Sequence, residues 1–172
     1  MKKLFFYFFF TVNIAAVANT KDSFLLQKKE TVLDSTYIKN NYKKGVELLS
    51  HENYKEAFVS FSFGLKKSKE IKDNHLIATG NFYLGDLYVK EKRYSEAIIH
   101  YTSALDIFKE TKKNVETTNS YLRLGAVYYN QASYEKALFN YFKSLEISER
   151  IQDKKNIALG LESIGRVYLL TL

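Results

Sequence analysis

Apolar residues recur along the chain at helical spacing, and the same arrangement returns at a fixed interval. In one segment they fall at Tyr94, Ala97, Ile98, Tyr101, Ala104, Leu105 and Phe108. Steps of three and four residues place such side chains on one side of a helix. A polar break, Glu91-Lys92-Arg93, separates this stripe from the one before it. The pattern therefore predicts, in each repeat, two antiparallel helices joined by a tight turn.

Small residues mark the repeat most clearly. Glycines stand one interval apart at Gly45, Gly85, Gly125 and Gly165, and alanines keep the same interval at Ala57, Ala97 and Ala137. Glycine inside a helix costs roughly 1 kcal/mol relative to alanine, so its return indicates positions where a side chain does not fit. We expect the first helix of each repeat to cross closely over the second, against the small surface of the alanines. The aromatic residues after the alanines would fill the space between repeats.

A single helix pair cannot bury both of its faces, so the pairs must stack. The predicted fold class is all-α, with a repeat domain over residues 38–172. The complete repeats are placed at 38–71, 78–111 and 118–151, and a half repeat at 158–172. Residues 72–77, 112–117 and 152–157 would lie between repeats, with the second helices lengthened by about one turn. The expected caps of the next helices are Asn74, Asn114 and Asp153 or Asn156.

These residues resemble the tetratricopeptide repeat. The second repeat reads Leu84-Gly85-x-x-Tyr88, then Ala97, Tyr101 and Ala104, and the third reads Leu124-Gly125-x-x-Tyr128, then Ala137, Tyr141 and Ser144. The resemblance covers about residues 38–172 and implies a right-handed superhelical solenoid of antiparallel helix pairs. The period, about 40, is longer than the family's usual value of about 34, and the family's proline near the end of the second helix is absent. Repeats of this length resemble those of bacterial sensory and regulatory proteins.

The resemblance also implies a concave groove lined by the first helices. The expected groove positions are Lys39, Tyr42, Lys43, Val46, Leu49, Thr79, Phe82, Tyr83, Asp86, Val89, Lys90, Asn119, Leu122, Arg123, Ala126, Tyr129 and Asn130. Aromatic and basic side chains together suit an extended peptide or a helix with acidic character. For Tyr83 and Tyr129, packing against the neighbouring repeat is an equal alternative. The family's carboxylate clamp is missing, since Asp86 stands at its central asparagine position, so chaperone C-terminal tails are not expected ligands.

The first residues have the order of a secretory signal peptide. Lys2 and Lys3 precede an apolar stretch from Leu4 to Ala18 that ends in the small-x-small sequence Ala16-Val17-Ala18. This stretch is short for a membrane span, which needs about 20 apolar residues. We predict a signal peptide over residues 1–18, a linker or capping segment over 19–37, and a mature chain without a membrane span in the periplasm or outside the cell. The alternative is an uncleaved N-terminal anchor.

Motifs and composition argue against an enzyme and against a nucleic-acid binder. The chain has no cysteine, and its three histidines, His51, His75 and His100, lack metal-ligand spacing. We expect His51 and His75 on the surface. No phosphate loop or nucleophile motif is present. The net charge is +7, but basic residues alternate with acidic ones, which is typical of a solvated surface. We expect no catalytic residue, no metal and no cofactor.

The sequence thus predicts a non-enzymatic scaffold that binds a protein or peptide partner. The last segment, residues 158–172, is apolar on several faces, whereas a terminal helix of a repeat array normally has a polar outer face. This leaves two further expectations open. The chain could be the sensory repeat region of a truncated signal-transduction protein, such as a sensor histidine kinase or a transcriptional regulator, or it could self-associate through its C-terminal helix.

Overall fold

The computed structural model describes residues 34–171 of the 172-residue chain. The predicted signal peptide and nearly all of the predicted linker lie outside these residues. By its internal contacts the chain divides into Met1–Tyr37 and Ile38–Leu172. The second of these units contains the stacked helices and the candidate site.

Seven helices occupy the described residues. They are α1 (34–50), α2 (Tyr54–Glu70), α3 (Asn74–Lys90), α4 (Tyr94–Glu110), α5 (Asn114–Asn130), α6 (Tyr134–Arg150) and α7 (Lys154–Thr171). From α2 onward consecutive helices pack on one another, and α5 also contacts α7. The prediction of an all-α fold built from stacked antiparallel helix pairs is confirmed.

The same three-residue turn joins every pair of consecutive helices. Its middle residue has a positive φ between 55° and 60° at Glu52, Lys72, Lys92, Lys112, Ala132 and Gln152. In the third turn the N–H of Arg93 donates to the carbonyl of Tyr88 at 2.8 Å, and the N–H of Lys92 donates to that of Val89 at 3.0 Å. This pair of hydrogen bonds is a Schellman motif, which ends a helix and satisfies its last carbonyls. The structural unit is thus one helix with its turn, and two such units make one sequence repeat.

The helix starts differ from the prediction. We expected first helices from residues 78, 118 and 158, after connecting segments and lengthened second helices. Instead α3, α5 and α7 begin at Asn74, Asn114 and Lys154. The physical reason is that first and second helices are equally long, 17 residues each in α2 to α6. The residues added to the usual repeat length therefore lengthen both helices. The three-residue turn replaces the six-residue connecting segments that we expected between repeats.

The predicted helix caps are correct at one position and wrong at two. The Asp153 carboxylate accepts a hydrogen bond from the N–H of Asn156 at 3.2 Å, as a cap at the start of α7. At the start of α3 the cap is Asp73, which accepts from the N–H of Leu76 at 3.0 Å. Asn74 and Asn114 are instead the first residues of their helices. The prediction relied on the preference of asparagine for cap positions and placed both caps one residue too late.

Each first helix crosses its second helix where an aromatic ring lies on a glycine. A Cβ added to Gly85 would lie 2.6 Å from two ring carbons of Tyr101. The same contact joins Gly45 to Phe61 and Gly125 to Tyr141. This confirms the expected close crossing of the two helices. One detail of the prediction is wrong, because the atoms that lie against the glycines belong to aromatic rings and not to the periodic alanines. Ala57, Ala97 and Ala137 are each 0% exposed in the core.

Gly165 departs from the other three glycines of its register. A Cβ added there meets no described atom within 4 Å. The steric reason that we predicted for this glycine therefore does not hold among residues 34–171. Gly165 and Gly85 consequently form a natural pair for comparison, because they share a helical position and differ in what lies against them.

We expect Gly85→Ala to lower the free energy of unfolding by about 1–3 kcal/mol, because the buried Tyr101 ring must move to admit a methyl group. Within a single chain, Gly165→Ala should instead raise it by up to about 1 kcal/mol, because alanine is the better helix former and no described atom lies within 4 Å of the added Cβ. Urea unfolding followed by circular dichroism measures both. Equal effects of the two substitutions would contradict the ring-on-glycine account.

Candidate functional site

The first helices α1, α3 and α5 together form a surface with three adjoining clefts, which we call the groove. The first cleft, about 300 Å³, lies between α1 and α3. The second, about 280 Å³, lies between α3 and α5, and the third, about 320 Å³, is lined by all three of these helices and by Tyr101 of α4. His75, Thr79 and Tyr83 line both the first and the second cleft. The first helices thus present one continuous surface, as the resemblance implied.

Most of the predicted groove residues lie on this surface. The clefts are lined by Lys39, Tyr42, Lys43, Val46, Leu49, Thr79, Phe82, Tyr83, Asp86, Val89, Lys90, Asn119, Arg123 and Ala126. Three predicted residues are not among the cleft-lining residues. Leu122 and Tyr129 are partly buried against the cluster around Tyr141, and Asn130 is exposed at the end of α5. Tyr129 packs on Tyr134 of α6 with ring centroids 6.0 Å apart, so neighbour packing is the better interpretation of this residue.

Tyr42 is a core residue rather than a ligand contact. Its side chain is only 3% exposed, and its hydroxyl donates to the carbonyl of Leu76 at 2.9 Å and lies 2.9 Å from the Ser68 hydroxyl. Burial raises the pKa of this phenol to about 12, against the opposing effect of the Ser68 hydrogen bond. The prediction that Tyr42 offers its side chain to a partner is therefore wrong. On α1 the exposed lining of the first cleft consists of Lys39, Lys43 and Val46.

The second cleft has an aromatic lining. Tyr83 stacks on Phe61 at 5.4 Å between ring centroids and meets Phe82 edge to face at 6.3 Å. Phe82 in turn meets Tyr101 edge to face at 5.5 Å. Phe82 and Tyr83 are both half-buried, so each ring is held by packing while part of it remains open. Rings held in this way offer a rigid apolar surface at little cost in conformational entropy.

Sequence reasoning missed two polar residues of this cleft, His75 and Glu116. Both lie in segments that we had placed between repeats, whereas the structure includes them in the first turns of α3 and α5. The imidazole ring of His75 lies 5.9 Å from the ring of Phe108, and its Nδ1 is buried without a hydrogen-bond partner among the described residues. His75 is therefore half-buried, with one ring nitrogen covered, rather than fully on the surface as expected. His51 does lie on the surface, with Nδ1 2.8 Å from the carbonyl oxygen of Glu47.

A half-buried acid and an exposed base meet in the third cleft. The Tyr101 hydroxyl donates to Oδ1 of Asp86 at 2.6 Å, and Nε of Arg123 lies 3.2 Å from the same oxygen. The Arg123 side chain is 55% exposed, and its Cζ lies 6.0 Å from the centroid of Phe82. Burial raises the pKa of the Asp86 carboxyl, although Arg123, the Tyr101 hydrogen bond and Lys90 all favour its charged form. The acid is thus largely covered by its neighbours, while the guanidinium is mostly exposed.

A further depression lies outside the groove, between α4 and α6. It has a volume of about 480 Å³, and Phe139 contributes to its lining together with Tyr121, Tyr128 and Lys136. Phe139 is 61% exposed. None of the residues that line this outer cleft lines any of the three clefts of the groove. It therefore provides a matched control surface for experiments on the groove.

Two classes of site are absent from the described part of the chain. Residues 34–171 hold no group of three or more His, Cys, Asp or Glu side chains that could ligate a metal ion. None of the helices in that range combines the length and the apolar character needed to cross a bilayer. The residues that line the groove themselves offer apolar contact, hydrogen bonding and charge.

Comparison with known proteins agrees with this fold. Residues 76–150 match the family model described as tetratricopeptide repeat. Among solved structures, the crystal structure of BtubC (BKLC) from P. vanneervenii is similar, with a TM-score of 0.70 and 17% sequence identity over 76% of this chain and 55% of that chain. At this identity the likeness shows the fold alone, and the chain spans little more than half of that protein. No curated protein sequence matches the chain.

We expect the free energy of unfolding of the Asp86→Asn variant to increase relative to that of the wild type as pH rises from about 4. Because the pKa of Asp86 is raised in the folded chain, the folded state holds the proton more tightly than the unfolded state does. The wild type therefore loses stability as pH rises from the ordinary aspartate value of about 3.9 to the raised folded value. Asparagine lacks this titration. Urea unfolding of both proteins between about pH 3.5 and 7 measures the difference, and a flat or falling difference would contradict the burial argument.

Proposed function

We propose that this protein is a non-enzymatic scaffold that binds an acidic peptide or helix of a partner protein in the groove of α1, α3 and α5. One observation carries the proposal: the three adjoining clefts contain aromatic rings fixed by packing and four basic side chains. Tetratricopeptide repeats are in general protein-interaction modules, so the match over residues 76–150 supports the same class of function.

The charge of the groove favours an acidic ligand. The residues that line the three clefts include four bases, Lys39, Lys43, Lys90 and Arg123, and two acids, Asp86 and Glu116. Of the two acids, Asp86 is half-buried and already bonded to Tyr101 and Arg123. A ligand would therefore meet mainly positive charge at the surface, which steers acidic partners toward the groove and disfavours basic ones.

The positions of the bases relative to the aromatic cleft suggest a pattern within the ligand. Lys39 and Lys43 line the first cleft, Phe82 and Tyr83 the second, and Lys90 and Arg123 the third. An apolar side chain of the ligand would enter between the rings of the second cleft, and acidic side chains on either side of it would meet the bases. The contact of Asp86 with Nε of Arg123 orients the guanidinium and leaves its outer nitrogens for a carboxylate.

A pair of synthetic peptides tests this proposal. Both carry a central Leu-Phe pair, flanked on each side by three Glu in one peptide and by three Lys in the other. We expect the full chain to bind the acidic peptide and not the basic one in fluorescence anisotropy, with affinity falling as salt rises. Arg123→Glu and Phe82→Ala should each weaken binding at least about tenfold, the loss of about 1.4 kcal/mol.

The control for these variants is Phe139→Ala, which removes an exposed aromatic ring from the outer cleft. Its affinity for the acidic peptide should equal that of the wild type, and all three variants should keep the wild-type helical content. The proposal fails if the acidic peptide does not bind, if the basic peptide binds equally well, or if Phe139→Ala alone abolishes binding.

We also propose that the scaffold works after export across the inner membrane, in the periplasm or outside the cell. This part depends only on the basic-apolar-small order of residues 1–18. Intact-mass analysis of the protein purified from a bacterial host should give a chain that begins at Asn19, released into the periplasmic fraction. A product that still begins at Met1 would contradict cleavage and would favour the N-terminal anchor.

A further inference from the structure

The face of α7 that continues the repeat register is uncovered among the described residues. Four positions of α3 face the following second helix, α4, and the repeat period assigns a counterpart on α7 to each. On α3 these are Ala78, Asn81, Gly85 and Tyr88, with Ala78 0%, Asn81 9% and Tyr88 8% exposed. On α7 they are Ala158, Leu161, Gly165 and Tyr168, with Leu161 54% and Tyr168 48% exposed. The neighbouring Leu169 is 77% exposed. A helix with this face is suited to packing against another helix.

Among the described residues, α1 at the other end of the stack has no matching apolar edge. The period relates Asn40, Lys44 and Glu47 of α1 to Gly80, Leu84 and Leu87, which are buried on the side of α3 that faces α2. On α1 all three of these positions are exposed and polar. A head-to-tail contact would therefore bury these polar groups and charges against Leu161 and Leu169, which is costly. The contrast disfavours an open chain of copies and favours a contact of the α7 face with itself.

The α7 face is complementary to itself in shape. Gly165 leaves a depression with no described atom within 4 Å of an added Cβ, and the exposed Tyr168 ring stands three residues away, on the same side of the helix. At Gly45, Gly85 and Gly125 the depression is filled by an aromatic ring from an antiparallel helix. A two-fold axis between residues 165 and 168 makes two copies of α7 antiparallel, so each Tyr168 can reach the Gly165 of the other copy.

We propose that two copies of this chain associate through α7, with the Tyr168 ring of each copy seated on Gly165 of the other. The ring-on-glycine contact that joins the helices of each repeat is thereby used once more, between molecules. Leu161 and Leu169 flank the contact and are buried in the same interface. Such an isologous contact closes after two copies, because each face is used once. None of the residues of this contact lines the three clefts of the groove, so this inference does not rest on the peptide-binding proposal.

Sedimentation equilibrium of the full chain over a range of concentrations tests the proposal. We expect a reversible monomer–dimer equilibrium. Leu161→Glu should raise the dissociation constant by at least about tenfold, because the two-fold axis buries two unpaired carboxylates for one substitution. The matched control is Ile99→Glu, since Ile99 of α4 is 63% exposed and lies outside the α7 face. This variant should dimerise as the wild type does.

A second variant keeps the test decisive if Leu161→Glu reduces helical content. Gly165→Phe places a ring in a space that no described atom occupies, so the monomer should fold normally. Its own ring then fills the depression that Tyr168 of the other copy needs, and the dimer should weaken by about tenfold or more. Circular dichroism verifies folding of all three variants.

The alternative occupant of the face is a second helix of the repeat type, and a synthetic peptide of residues 133–150, the α6 sequence, serves as its probe. The proposal is overturned if the wild type stays monomeric at every concentration, whether or not this peptide binds. If the chain is monomeric and binds the peptide, and if Leu161→Glu abolishes that binding, the α7 face is the docking site of a following helix. A dimer that survives both α7 substitutions, or that Ile99→Glu dissolves, places the interface elsewhere and also overturns the proposal.

Discussion

The contact of the Tyr101 ring with Gly85 is the interaction on which the site depends. It brings the ring so close to the α3 backbone that no side chain fits at residue 85. The same closeness lets the Tyr101 hydroxyl reach Asp86, the residue after the glycine, at 2.6 Å. Asp86 then holds Arg123 of the next repeat at 3.2 Å, beside the Phe82 ring. A packing contact within one repeat thus positions the exposed charge of the groove in another.

Only the middle repeat carries this arrangement in full. The equivalents of Tyr101 are Phe61 and Tyr141, and those of Asp86 are Val46, Ala126 and Arg166. Phe61 has no hydroxyl, and the side chains of Val46 and Ala126 cannot accept a hydrogen bond. The regular stack of helix-and-turn units therefore supplies the same geometry several times, while single substitutions decide where polar chemistry appears. This is why the periodic residues determine the fold and the non-periodic residues determine the candidate site.

Much of the fold followed from the sequence, because glycine, alanine and aromatic residues at a fixed interval leave few ways to pack two helices. The helix starts did not follow. The six turns carry Glu, Lys, Lys, Lys, Ala and Gln at the positive-φ position, where glycine is the usual signal of a helix end. Without that signal the first turns of α3 and α5 were taken as connections, and His75 and Glu116 were missed.

Tyr42 illustrates a second limit of reasoning from the period. Its position matches that of Phe82, a groove residue, yet its ring fills space left by Gly64 and Gly80. These two glycines lie outside the four-fold series, and Ala104 and Ser120 stand at the equivalent positions of the following repeat. The burial of Tyr42 thus depends on two glycines, Gly64 and Gly80, that the following repeat lacks.

The coupling between Tyr101 and Arg123 is the most direct test of the account, and a double-mutant cycle on acidic-peptide affinity measures it. Tyr101→Phe keeps the ring on Gly85 and removes only the hydroxyl that holds Asp86, and at 1% exposure the residue offers a peptide almost no surface of its own. We expect this substitution to weaken binding when Arg123 is present and to have no effect in the Arg123→Ala chain. Equal effects in both backgrounds would mean that the two sites act independently, and would contradict the claim that repeat packing positions the groove charge.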